Sequence, residues 1–386
     1  MPLLLLAILL ADLISIGFLF LGYHFWHEWQ TNRDTVYDAY AQRCLYGVLA
    51  IGLYMLLGRF LLAPLLSKSR PGEDQPQRAD SPEHDTIKRP DGSLIHMDFY
   101  GPKTAQPIIF VHGWNANRTN WYYQRKHFEK AYRLILMDLP GLGKSTRPDN
   151  KDFSLTKMAA DLKAVMDHTG VTNPILWGHS IGGMTILTLL ANHKELAPAA
   201  IKGVILEHTT YTNPVHTILF AKLLTAIQKP VLVPLCWLMI LLSPLMWISR
   251  WMSYLNGNAH LMARFLTFTG TQTFQQLNFV TLLSALSPPA VTARGVLGMF
   301  KYDVSRDLSS MRVPALVIGA NEDRLTRPVA SEHISQTMPQ AKLAMVAPGG
   351  HQGLVERHME VNQAAQHFIQ TLTRDAVTLR DAGSSR

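Results

Sequence analysis

The chain has 386 residues, 47% of them hydrophobic and only 17% charged, with 36 Lys+Arg against 28 Asp+Glu. Such a composition excludes a disordered chain, which needs low hydrophobicity and high charge, and its aperiodic glycines and prolines exclude a collagen-like or repeat architecture. The net charge of +8 is mild and forms no basic stripe, so no nucleic-acid partner is expected, and two cysteines, Cys44 and Cys236, cannot build a disulfide framework or a cysteine-based zinc site.

Leu3 to Gly22 is apolar except for Asp12 and Ser15, and Cys44 to Leu66 is apolar except for Arg59. Each run is about 20 residues, enough for a helix to cross a hydrocarbon core of roughly 30 Å. The first lacks the basic leader and small-residue cleavage site of a signal peptide. Residues 1–66 are therefore predicted to form a two-span transmembrane hairpin in a multi-pass membrane protein. Tyr23, Trp26 and Trp29 fall where aromatic rings favour headgroups. Asp12 and Arg59 fall at similar depth in such a hairpin and can pair. Only Arg33 and Arg43 lie between the spans, whereas Lys68, Arg70 and Arg78 follow the second, which predicts a cytoplasmic catalytic part.

Residues 67–85 read as a linker, rich in Ser, Pro and mixed charge without apolar period. Beyond it, short apolar β-branched runs at Pro107–Val111, Tyr132–Met137, Pro174–Trp177, Lys202–Leu206, Pro314–Ile318 and Lys342–Val346 alternate with amphipathic stretches such as Thr156–His168 and Ile181–Asn192. Alternation of this kind predicts a mostly parallel central sheet with helices on both faces, an α/β fold. In such sheets the reactive groups gather at the carboxyl ends of the strands.

Gly178-His179-Ser180-Ile181-Gly182 stands between a predicted strand and a predicted helix, the setting that gives G-x-S-x-G its meaning. A sharp turn there lifts Ser180 while the glycines let backbone pass closely. The helix start then offers amides to a developing oxyanion. His112-Gly113-Trp114 follows the Pro107–Val111 strand, so the backbone amides of Trp114 and Ile181 are the expected oxyanion donors. Asn321-Glu322-Asp323 and Gly349-Gly350-His351 follow the last two predicted strands. A serine hydroxyl needs a base, and the base needs a carboxylate to fix its tautomer. Ser180, an acid at Asp323 or Glu322, and His351 come in the Ser…Asp…His order of one triad class.

Over residues 86–373 the sequence resembles the α/β-hydrolase fold family. The resemblance is carried by Pro107–Trp114, by Asp138-Leu139-Pro140-Gly141-Leu142-Gly143-Lys144-Ser145 (a D-x-P-G-x-G-x-S turn), by Gly178–Gly182, by Asp323, and by Gly350-His351 with Glu356. It implies Ser180 as nucleophile, His351 as base and Asp323 as orienting acid. Gly319 and Asp323 are four apart where the family often has three, which leaves Glu322 as the competing acid. Gly143-Lys144-Ser145 ends like a phosphate-binding loop, but Asp138 stands where that motif needs glycine. No metal or cofactor is implied, because histidines such as His208, His333 and His358 have no ligand spacing and read as surface or turn residues. Asn117-Arg118-Thr119 fits a glycosylation sequon that a cytoplasmic domain would not use.

In this family a helical cap interrupts the alternation, and here the interruption spans about 210–294. Val231 to Ile248 carries no charge. A single crossing by this segment would put the next strand on the wrong side of the membrane, so it is expected to pack as cap core or dip into the membrane face, with Trp237 and Trp247 as candidate substrate contacts. Residues 374–386 form a tail. The expected function is cleavage of an apolar, lipid-like carboxylic ester through an acyl-enzyme on Ser180. Acyl transfer, perhydrolysis, C–C hydrolysis and a non-catalytic tethered module are the alternatives.

Overall fold

The computed structural model describes residues 2–196 and 200–384. Two long helices open it, α1 (Pro2–Asn32) and α2 (Asp38–Leu65). Then comes one sheet of eight strands among the described residues: β1 (His84–Lys88), β2 (Leu94–Tyr100), β3 (Pro107–Val111), β4 (Arg133–Met137), β5 (Ile175–His179), β6 (Gly203–Glu207), β7 (Ala315–Ala320) and β8 (Ala341–Val346). Their order is β1-β2-β4-β3-β5-β6-β7-β8. The β1–β2 and β2–β4 pairs at one edge are antiparallel, and the other five pairs are parallel. The sheet is the one the apolar runs predict, extended by β1 and β2.

Side chains alternate across a strand, and each parallel strand therefore feeds two cores. Ile109, Val111, Leu176, Leu206 and Val317 point into one, under α4 (Leu155–Thr169) and α5 (Ile181–Asn192). Phe110, Trp177, Ile205 and Ile318 point into the other, together with Trp121, Phe128 and Phe368. Those last residues lie in or beside α3 (Tyr122–Phe128) and the C-terminal helix. Burial on both faces explains why these strands read as continuous apolar runs.

Between β6 and β7 stand six helices: α6 (Ala221–Ile227), α7 (Val233–Leu241), α8 (Ser243–Leu255), α9 (Asn258–Thr267), α10 (Phe274–Leu286) and α11 (Pro289–Met299). A wide turn over Gln228–Leu232 joins α6 to α7. The cap is pinched at its neck by a bridge between Thr212 and Asp303, with the Val304 amide donating to the Tyr211 carbonyl at 2.9 Å. The boundary expected at residue 294 falls inside α11; the insertion closes at Asp303. After β7 follow α12 (Pro328–Thr337), α13 (Gly353–Glu356) and α14 (His358–Ser384). The tail expected from residue 374 continues α14 to Ser384, and its last two residues lie outside the described ones.

Three helical stretches are long and apolar enough to cross a membrane: Leu3–Asn32, Asp38–Leu65 and Ala221–Leu241. α1 and α2 pack on each other and against α8 and α9. Asp12 and Arg59 do not pair. Leu5, Asp12 and Ser15 share the helix face turned toward the protein, and Asp12 Oδ1 accepts from Ser253 Oγ at 2.8 Å. The Arg59 guanidinium lies 4.6 Å from the centre of the Phe60 ring and 4.8 Å from that of Tyr254. The segment expected to be a linker has no helix or strand before His84, yet it is no free tether. The Lys68 amide donates to the Gln272 carbonyl at 2.9 Å, and Tyr122 and Tyr123 donate their hydroxyls to Asp74.

Candidate active site

Ser180 joins β5 to α5 with φ 55° and ψ −116°, a conformation that costs any residue but glycine about 1–3 kcal/mol. The turn closes only because two neighbours have no side chain. A Cβ on Gly182 would stand 2.0 Å from the Val111 carbonyl oxygen, and one on Gly178 would stand 2.4 Å from the Gly182 carbonyl carbon. The end of β6 pins the strained residue from below. The Ser180 amide donates to the Glu207 carbonyl at 2.9 Å, and Thr209 Oγ1 donates to the Ser180 carbonyl at 2.6 Å.

The loops after β7 and β8 bring the other two residues to it. His351 Nε2 is 3.0 Å from Ser180 Oγ, and His351 Nδ1 is 2.8 Å from Asp323 Oδ2. Asp323 Oδ1 accepts the amides of Leu325 and Thr326 at 2.8 and 2.9 Å, and Thr326 Oγ1 donates to Oδ2 at 2.8 Å. Burial alone would raise the Asp323 carboxyl; the facing His351 and these donors outweigh it and hold the group at about 2. A permanent carboxylate thus faces one imidazole nitrogen while the other faces a hydroxyl. That chain can move a proton from serine to histidine and stabilise the resulting imidazolium. Glu322 is exposed and its side chain joins no part of this arrangement. Asp323→Asn is expected to lower turnover by about 10⁴-fold and Glu322→Gln by less than about twofold, read from kcat on one ester; equal losses would transfer the acid role.

Trp114 and Ile181 stand at the ends of β3 and β5, and among the described residues neither backbone amide donates to an acceptor. α11 fixes the Trp114 turn. The indole Nε1 donates to the Thr292 carbonyl at 3.0 Å, and Thr292 Oγ1 donates to Asn115 Oδ1 at 2.6 Å. His112 has a supporting place, with its Nε2 accepting the Leu139 amide at 3.0 Å. The Asp138–Ser145 turn is structural as well. Asp138 accepts from the Arg118 amide, from Arg118 Nη1 and from the Lys144 amide, at 2.8, 2.7 and 2.8 Å. Asn117 of the sequon accepts the Thr119 amide at 2.9 Å.

Three readings need correction. His208 is no surface residue: it is fully buried, φ 46°, with its ring 6.3 Å from that of His351. Burial pushes His208 down to about 4 and its neighbour Glu207 up to about 8, so neither is charged near neutrality. Position after β6 was the only signal for His208. His333 and His358 are half-buried and stack on Tyr211 and Tyr123. Trp237 and Trp247 lie 54% and 38% exposed on the outer side of the cap. α7 turns Cys236 and Met239 inward instead, and neither tryptophan lines the cavity beside the site. Glu356 is buried away from the chemistry. It accepts the amides and hydroxyls of Thr269 and Thr271 at 2.8–3.0 Å, which fastens the α9–α10 turn beside His351.

A strained serine at a strand-to-helix turn, with its imidazole and carboxylate delivered by the last two parallel strands, defines a class. The chain belongs to the alpha/beta hydrolase fold family, whose pattern it matches over residues 106–357, and it is a hydrolase of that family. It is 24% identical over 278 residues to the "Putative carbamate hydrolase RutD" of Caulobacter sp. (strain K31), which covers 72% of this chain and 95% of that protein. It is 37% identical over 116 residues to the non-heme chloroperoxidase of Burkholderia pyrrocinia, covering 30% and 41%. In three dimensions it is similar to the esterase EaEST of Exiguobacterium antarcticum, with TM-score 0.61 at 21% identity over 76% of this chain and all of that one.

Proposed function

We propose that the protein is a membrane-anchored serine hydrolase that cleaves carboxylic esters of apolar, lipid-like molecules. The observation that carries this reading is the hydrogen-bonded series Ser180–His351–Asp323 at three strand ends. Ser180 Oγ attacks the ester carbonyl and its proton passes to His351 Nε2. The amides of Trp114 and Ile181 receive the oxyanion. The C–O bond then breaks, and His351 returns the proton to the departing alcohol. Water, deprotonated by the same imidazole, attacks the acyl-enzyme and releases the acid.

The anchoring half of the reading is supported by the length of α1 and α2 and by their bare apolar faces. Leu13, Phe20, Leu49, Leu53, Leu57 and Leu61 are exposed, a belt that water would not tolerate on a monomer. Leu238, Leu241, Leu245 and Ile248 continue it over the cap, which favours a cap sunk into the membrane face. Lys68, Arg70 and Arg78 favour a cytoplasmic catalytic part. The test is labelling of the detergent-solubilised full chain by a small fluorophosphonate, with hydrolysis of p-nitrophenyl esters in parallel. Labelling and ester turnover are expected; an unlabelled, inert but folded protein rejects the assignment. The whole-length similarity to the relative named for carbamate hydrolysis favours one second reading, a carbamate at the same serine. A carbamate turned over faster than the matching ester would select it.

A further inference from the structure

The cavity beside the site has the first helix of the chain as one of its walls. About 700 Å³ of it is not filled by atoms, a figure that includes open solvent at its mouth. At one end lie Trp114 and Asn115, which follow the oxyanion strand, and Gln352, which follows His351. Leu4, Ile8, Ala11 and Asp12 of α1 also line it, with Arg250 and Ser253 of α8 and residues of α9 and α10. Apolar atoms make up most of this lining, a surface that suits a fatty chain.

A polar lock sets the register of α1. Asp12 Oδ1 accepts from Ser253 Oγ at 2.8 Å, Ser15 and Ser253 share a hydrogen bond at 3.0 Å, and Asn256 and Asn258 donate to Ser15 Oγ at 2.8 and 3.2 Å. Shifting α1 by one residue would break all of these inside a buried contact, where unpaired polar groups are costly. Leu4, Ile8 and Ala11 precede the lock on the same side of the helix. The other side of α1 carries exposed Leu10 and Leu13. One helix thus touches both the cavity and the surface proposed to meet lipid.

We propose that α1 is a wall of the acyl-binding pocket: the fatty chain of a membrane-derived ester lies along Leu4, Ile8 and Ala11, and α1 sets the chain length accepted. This rests on the serine-hydrolase reading above for its chemistry. Burying one methylene is worth about fourfold in affinity, so bulk placed in this wall acts on long chains and spares short ones.

The test compares the full chain with Ile8→Trp, which fills the cavity, and Leu13→Trp, on the exposed side. p-Nitrophenyl acetate and dodecanoate in the same micelles are the substrates. Ile8→Trp is expected to lose at least about tenfold in kcat/KM on dodecanoate while acetate turnover and fluorophosphonate labelling hold; Leu13→Trp is expected to match the parent. An unchanged chain-length profile in a folded Ile8→Trp overturns the proposal. A parent protein that neither labels nor cleaves acetate instead defeats the serine-hydrolase reading. A second measurement needs neither turnover nor a variant: a diazirine-bearing palmitic acid photolysed with the parent chain. Adducts at Leu4, Ile8 or Ala11 support the proposal, and adducts confined to other positions, including outward Leu10 and Leu13, refute it.

Discussion

Ser180→Ala is expected to reduce ester turnover by about 10⁴- to 10⁶-fold and to abolish fluorophosphonate labelling. The residue removed is the hydroxyl facing His351 Nε2 at 3.0 Å, and no second hydroxyl takes its place on that nitrogen. Some rate over water should survive, because the Trp114 and Ile181 amides and the pocket remain. The fold should survive too. Alanine meets the same φ of 55° that serine does, and the Ser180 main-chain contacts to Glu207 and Thr209 do not use the side chain. The comparison is therefore kcat and labelling at matched circular dichroism. Turnover within about tenfold of the parent would mean that another group is the nucleophile.

The second large effect is on stability. Arg118 is buried with two buried carboxylates: its Nε meets Asp98 Oδ2 at 2.6 Å and its Nη1 meets Asp138 Oδ2 at 2.7 Å, while Nη2 reaches Asp80. Arg118→Ala would leave Asp98 and Asp138, 1% and 0% exposed, without the guanidinium they share. Breaking such a group by removing one partner costs about 3–5 kcal/mol, a fall in Tm of about 4–8 °C for a chain of this size. The effect carries a pH signature. Burial would raise the Asp98 carboxyl, but His96 and Arg118 outweigh it and hold it below its ordinary value. A depressed carboxyl stabilises the fold above its unfolded pKa and loses that contribution as pH falls. The gap in Tm between parent and variant should therefore be widest near pH 7 and narrow toward pH 4. A gap independent of pH, or absent, would show that the ion group does not hold the turn.

Much of this was legible in the sequence, for identifiable reasons. β3 to β7 are buried on both faces, so they stand out as apolar runs; β8, half-exposed at the far edge, still alternates enough apolar residues to read as a strand, and the residues at all their carboxyl ends can be read directly. β1 and β2 escaped notice because they lie at and next to the sheet edge, and His84–Lys88 alternates charged residues with a single buried Ile87. Ser180, His351 and Asp323 meet because their strands are parallel neighbours or nearly so. His208 and Arg118 carried no pattern, since their partners come from segments remote in sequence. The sequon pattern marks Asn117, whereas it is the neighbouring Arg118 that ties Asp98 and Asp138 together. Trp237 could not be oriented from sequence because α7 is apolar on every side, and Trp247 faces outward because α8 turns its polar residues Ser249, Arg250 and Ser253 inward. The docking of α1 on the cap was invisible for a related reason: serines and asparagines make it, and nothing marks them as partners.

The Asp12–Ser253 hydrogen bond joins residues 241 positions apart. A ribosome adding about 5–20 residues per second needs on the order of 10–50 s to make the second after the first. Throughout that interval the opening helix must wait with its carboxyl group unmatched. Newborn chains therefore pass through a stage in which only solvent or the companion helix α2 can shelter it. A defect in cap folding would then surface as misfolded, degraded polypeptide rather than as a merely inactive protein.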